Sequence, residues 1–147
     1  LLSVFGTFFL FSKQIDIRLL LPASAVGLLS AAVLNLNNMR DLESDKKSNK
    51  YTLAGYMGRK NSKIYHFLLI LSAIGLMIAF QSIMSFSYLM LFSWVAFAPL
   101  LIHLKIVYGI KNPKRFDPHL KLVALSTFAM SLLFASVLVI EQLQQLS

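Results

Sequence analysis

The stretch 19–47, LLLPASAVGLLSAAVLNLNNMRDLESDKK, decides the fold. Residues 19–39 are almost wholly apolar. At a rise of 1.5 Å per residue they are long enough to cross a hydrocarbon core of about 30 Å as one helix. Pro22 falls in the first turn of that helix, where a missing N–H is harmless. From Asn37 onward the composition turns to amides, acids and bases, as expected where a helix leaves a bilayer.

The rest of the chain repeats the pattern. Apolar stretches occur at 1–12, 64–84, 86–104 and 120–140, the first of them shorter than a full span. They are apolar all round, without the period-2 alternation of a β-barrel strand. The expected fold class is therefore all-α, a multi-pass transmembrane bundle of about five helices, with Pro99 kinking the fourth. Composition agrees: 57% of the 147 residues are hydrophobic, 14% are charged, and mean hydropathy is +0.70. A typical soluble domain carries about a quarter charged residues. The sequence opens inside an apolar run with no initiator Met and no basic leader, and it reads as the continuation of a longer chain. We find no internal repeat, low-complexity tract or second domain, and the last residues, 141–147, carry no motif.

Charge placement sets an orientation. Spans alternate sides, so the polar segments 40–63 and 105–121 share one side. Together they hold 12 of the 14 Lys and Arg residues, leaving Lys13 and Arg18 opposite. By the positive-inside tendency the basic side is cytoplasmic. A net charge of +8 could otherwise indicate nucleic acid, but topology accounts for it, and no nucleic-acid partner is expected. With no cysteine, disulfide and thiol chemistry are excluded. Segment 40–63 is expected to be a polar loop of about two dozen residues, a length usually reserved for function or disorder.

Chemistry concentrates at the start of that segment. If the helix continues past Met39, residues three and four apart place Asn37, Asn38, Asp41 and Asp45 on one stripe, with Glu43 pointing elsewhere. Two carboxylates one turn apart, with amide oxygens below, form an all-oxygen surface suited to a hard divalent cation. Mg²⁺ in particular binds through one or two carboxylates together with substrate phosphates and waters. Like charges at this spacing repel, which a cation would relieve. The competing reading is a solvated helix end balanced by nearby lysines. Arg40, Lys46, Lys47 and Lys50 flank the acids, and such cations suit the free oxygens of a metal-bridged diphosphate. There is no GxxxxGK[ST] loop, so nucleotide binding of that kind is not indicated. A diphosphate site at a membrane interface suits an amphiphile with a long lipid tail.

The run 37–58, NNMRDLESDKKSNKYTLAGYMG, resembles the second aspartate-rich motif of the UbiA-type intramembrane prenyltransferases, most of all their menaquinone-pathway branch. That pattern is close to N-N-x-R-D-x-E-x-D followed by a basic stretch and K-R-T-L-A. Asn37, Asn38, Arg40, Asp41, Glu43, Asp45, Lys50, Thr52, Leu53, Ala54 and Gly58 match it. Tyr51 stands where the family usually has Arg, and Asn49 where it usually has Gly. Three spans follow the cluster, which fits the second motif on the sixth of nine helices, so the chain would correspond to helices five to nine of one prenyltransferase domain, with the first motif upstream. The resemblance implies Mg²⁺-dependent transfer of a polyprenyl group from polyprenyl diphosphate to 1,4-dihydroxy-2-naphthoate at the cell membrane. It implies Asp41 and Asp45 as metal ligands, Asn37 and Asn38 as supporting polar groups, and Arg40, Lys46 and Lys50 as diphosphate contacts. A same-fold enzyme using 4-hydroxybenzoate or homogentisate, or a transporter subunit with an acidic ion gate, are the alternatives. Transporters tend to place coupling sites at the midplane on interrupted helices, unlike this interfacial cluster.

Other residues carry weaker signals. His66, His103 and His119 show no ligand spacing and read as interfacial or packing residues. Trp94 and the phenylalanines read as packing or lipid-facing groups. Segment 105–119, with Lys111, Lys114, Arg115 and Asp117, reads as a topology signal; the alternative is a segment that closes over a diphosphate.

Overall fold

A computed structural model describes residues 15–84 and 91–146, together with 6, 9, 10 and 13. The expected span 1–12, apart from three helical positions, and residues 86–90 of the fourth lie outside the described residues. Five α-helices follow in order: α1 (Leu20–Lys47), α2 (Leu53–Ile83), the single turn α3 (Leu91–Trp94), α4 (Ala98–Gly109) and α5 (Asp117–Leu146). Short 3-10 turns precede α1 (Ile17–Leu19), join α3 to α4 (Val95–Phe97) and lead into α5 (Pro113–Phe116). Among the described residues there is no strand. Among the described residues, four helical stretches are long and apolar enough to cross a membrane: Ile17–Lys47, Leu53–Ile83, Leu91–Gly109 and Pro113–Ile140.

The α1–α2 pair forms the centre of the bundle, and α5 packs against α1. Along α1 the buried residues Ala25, Leu29, Ala32, Leu36, Met39 and Leu42 recur every three or four positions. They meet Leu69, Ile70, Ala73 and Met77 of α2 in one cluster. Alanines at the contact let the backbones approach, as helices in lipid favour. One polar contact crosses the pair at depth, where buried Asn35 donates through Nδ2 to the Ser62 carbonyl at 2.8 Å. The opposite faces carry exposed Leu68, Ile78, Ile102 and Phe128, the surface a lipid-facing helix presents.

Two breaks interrupt the helices. Pro99 has no N–H to offer the Val95 carbonyl, so the chain tightens into a 3-10 turn and the Ala98 N–H takes that carbonyl instead; Pro99 then sits in the first turn of α4. In α2 the break is Gly58, at φ 76° and ψ 163°. Such a backbone is open essentially only to glycine.

The expected loop of two dozen residues between the second and third spans is replaced by helix. α1 runs on through Lys47 and α2 starts at Leu53, leaving only 48–52 as a connection. The reason is local. The Asn49 and Lys50 N–H groups donate to the Lys46 and Asp45 carbonyls, with Asn49 at φ 52°, which is the paired bonding of a Schellman helix end. Asn is the residue that best replaces Gly at such a left-handed position. Thr52 then caps α2, its Oγ1 accepting from the Gly55 N–H at 3.1 Å.

Candidate active site

The acidic cluster sits on the last turns of α1, beyond the apolar stretch ending at Met39. Continuation of the helix places Asn37 and Asp41 one turn apart and Asp45 a turn further. Arg40 lies among them. Its Nε donates to Asp41 Oδ1 at 2.7 Å and its Nη2 to Asp41 Oδ2 at 2.8 Å, a two-pronged clasp. Nη2 also donates to Asn37 Oδ1 at 2.7 Å, and Nη1 to Asp117 Oδ1 at 2.9 Å. Both carboxylate oxygens of Asp41 are thus engaged by the Arg40 guanidinium. Asn38 is half-buried beside them.

Asp45 is set apart by burial. It continues the packed stripe of α1 below Leu42 and is only 8% exposed. Its Oδ1 takes Lys50 Nζ at 3.3 Å, while its Oδ2 is buried with no hydrogen-bond partner among the described residues. Lys50 is brought back over Asp45 by the helix end itself, because its own N–H is bonded to the Asp45 carbonyl. Lys46 and Lys50 line a cleft of about 430 Å³ with Tyr51, Thr52 and Tyr56. Tyr51 is almost fully exposed. Glu43 faces away from the cluster and pairs with Arg59 at 3.3 Å.

Do these residues fit a divalent cation? Among the described residues no group of three or more His, Asp or Glu side chains is arranged to hold an ion alone. Asp41 and Asp45 supply one edge only. That is the mode in which Mg²⁺ is usually held, by one or two carboxylates completed by phosphate and water. A buried, unpartnered carboxylate oxygen costs about 1–3 kcal/mol or more, so Asp45 Oδ2 fits a ligand that would satisfy it.

Segment 105–119 is pinned to the other helices. Lys63 Nζ donates to the Tyr108 and Ile110 carbonyls at 2.8 and 2.6 Å, and Arg59 Nη1 to the Lys111 carbonyl at 3.2 Å. Phe116 is fully buried against the core. Lys111, Lys114 and Arg115 remain exposed. The basic ends of α1, α2, α4 and α5 thus meet at one end of the bundle.

Three features have little or no trace in the sequence. The histidines, unrelated by spacing, are joined by the fold: His66 Nε2 lies 2.8 Å from His103 Nε2, and His103 Nδ1 lies 2.9 Å from His119 Nδ1, with His66 and His103 fully buried. Asp117, 77 positions from Arg40, enters the acidic cluster only through tertiary contact. Trp94 is held by Gln81, whose Oε1 accepts from its Nε1 at 2.7 Å.

The 1,4-dihydroxy-2-naphthoate octaprenyltransferase of Haemophilus influenzae is 35% identical over 140 residues, which is 95% of this chain and 46% of that protein. The protein of the same name from Escherichia coli is 35% identical over 136 residues, 90% of this chain and 43% of its own length. A third, from Mycobacterium leprae, is 35% identical over 75 residues. The chain spans less than half the length of these relatives. No solved structure matches it. The model of the UbiA prenyltransferase family matches residues 1–125, a range that includes the acidic end of α1; the chain belongs to the UbiA prenyltransferase family.

Proposed function

We propose that the chain carries the second aspartate-rich motif, and the helices around it, of an enzyme that transfers a polyprenyl group from polyprenyl diphosphate to 1,4-dihydroxy-2-naphthoate in menaquinone synthesis. The observation that carries this reading is the pairing of Asp45, with its buried and unpartnered Oδ2, with Asp41 one turn away, flanked by Lys46, Lys50 and Arg40. The names of the relatives supply the acceptor. The basic end of the bundle faces the cytoplasm, by the positive-inside tendency, in the cell membrane.

Asp41 and Asp45 would hold Mg²⁺, with Asn37 and Asn38 supporting them. The ion, when bound, neutralises charge on the diphosphate as it leaves. The chain's own groups do the remaining work. Lys46 and Lys50, at the rim of the cleft, meet free phosphate oxygens and stabilise the negative charge that develops there, electrostatic work of the type that often dominates catalysis. Arg40 joins them once it releases Asp41. The apolar helix faces keep water from the prenyl group while its C–O bond to diphosphate breaks and the aromatic carbon bonds to it, the carboxyl group of the acceptor being lost as CO2.

The test is a membrane assay of the full-length protein with a polyprenyl diphosphate and 1,4-dihydroxy-2-naphthoate, with and without Mg²⁺. Asp41→Ala and Asp45→Ala should each remove nearly all turnover at unchanged expression. Normal turnover in both variants overturns the ligand assignment, and full activity in the presence of a chelator overturns the metal requirement.

A further inference from the structure

Arg40 stands between two carboxylates that come from different helices. Through Nε and Nη2 it clasps both oxygens of Asp41, and through Nη1 it donates to Asp117 Oδ1 at 2.9 Å. In this arrangement no oxygen of Asp41 is free of the guanidinium, so a cation approaching Asp41 competes with Arg40 for it. Asp117 is placed independently of that contact. It opens α5 directly after Phe116, which is fully buried, and the turn Pro113–Phe116 packs on α1. The backbone that carries Asp117 is thus held against α1 by Phe116 and not by the Arg40 contact.

We propose that Asp117 is a positioning residue that sets how strongly Arg40 competes with a divalent cation for Asp41. The inference rests on the metal reading given above. A guanidinium shared between two carboxylates binds each less tightly than one with a single partner. Turning about its Nη1 contact with Asp117, Arg40 releases the Nε–Nη2 edge from Asp41 while staying in the cluster, and that edge is the planar, two-donor fork that matches a phosphate. Without Asp117 the guanidinium keeps one acidic partner, Asp41, and holds it against the cation. Side-chain exposures of 32% for Arg40 and 55% for Asp117 place the contact partly in solvent, so the effect is moderate.

The experiment is Mn²⁺ binding to the purified full-length protein, followed by the electron paramagnetic resonance of the free ion and without prenyl substrate. The site is identified as the component lost in Asp45→Ala. Asp117→Asn should weaken this component by about two- to fivefold, the range of a partly exposed ion pair. Asp117→Glu should restore it, and Arg40→Gln should tighten it. In the Arg40→Gln background the Asp117→Asn change should have no effect, which a double-mutant cycle reads directly. An equal weakening in both backgrounds would mean that Asp117 acts by its charge alone, and the proposal is overturned. Unchanged affinity in Arg40→Gln overturns it as well, even where Asp117→Asn fails to fold. Absence of any Mn²⁺ component in the parent protein overturns the two-carboxylate reading itself, and this inference with it.

Discussion

His66 Nε2 and His103 Nε2 face each other at 2.8 Å across the α2–α4 contact, with both side chains fully buried. His103 then uses its other nitrogen, Nδ1, to meet His119 Nδ1 at 2.9 Å, so three helices are joined by one central ring. A neutral imidazole has one donor and one acceptor nitrogen, so His103 gives a proton to one neighbour and takes one from the other. The three tautomers are coupled. Replacing the central ring leaves two ring nitrogens without partners. His103→Leu is expected to destabilise the protein by about 2–4 kcal/mol, from about 1–3 kcal/mol for each abandoned group less some relief by apolar filling. His119→Leu, at the half-buried end of the chain, should cost less. Thermal unfolding in detergent checks the order, and equal melting temperatures for both variants would contradict it.

Gly58 is expected to tolerate no side chain for a backbone reason alone. No atom lies within 4 Å of where a Cβ would stand, yet its φ of 76° lies in the left-handed region. Gly58→Ala should lower stability by about 1–3 kcal/mol through strain. A melting temperature equal to the parent's would show that the break in α2 is not held by this residue.

Asn49 offers the opposite sign. At φ 52° it occupies the position that glycine fills at no steric cost, so Asn49→Gly should leave stability unchanged or slightly raised. Asn49→Ile, β-branched, should lose about 1–2 kcal/mol and loosen Lys50 over Asp45. Chemical denaturation of the three proteins side by side gives the ranking, and Ile performing as well as Gly would refute it.

Lys63 closes the end of α4 by donating to the Tyr108 and Ile110 carbonyls. A cation at a helix C-terminus contributes about 0.3–1 kcal/mol, and here it also ties α4 to α2. Lys63→Met should cost little global stability while making segment 110–116 more susceptible to limited proteolysis. Unchanged cleavage kinetics would mean that Arg59 and Phe116 hold the segment without it.

The character of this protein as a bundle of apolar helices was legible from the unbroken stretches around 19–39, 64–84 and 120–140, because a segment apolar on all sides must find lipid or protein on all sides. The acidic stripe was legible for a related reason: once α1 continues, the spacing of Asn37, Asp41 and Asp45 follows from 3.6 residues per turn and nothing else. The continuation itself was harder to see. The polar composition of 40–63 suggested a loop, whereas α1 runs to Lys47 and the bonding around Asn49 confines the turn to five residues.

What sequence left open is whatever depends on side chains arriving from distant positions. Neither spacing nor residue type relates Arg40 to Asp117 or His66 to His103 and His119; packing of α2, α4 and α5 around α1 does. The same packing buries Asp45 Oδ2 without a partner and leaves Asp41 wholly engaged by Arg40, so two carboxylates with the same local pattern become chemically different. Helical periodicity is a local property and was fixed by the chain alone. Which oxygen is free and which is held depends on burial and charge brought in from other helices, and only the tertiary structure decided it.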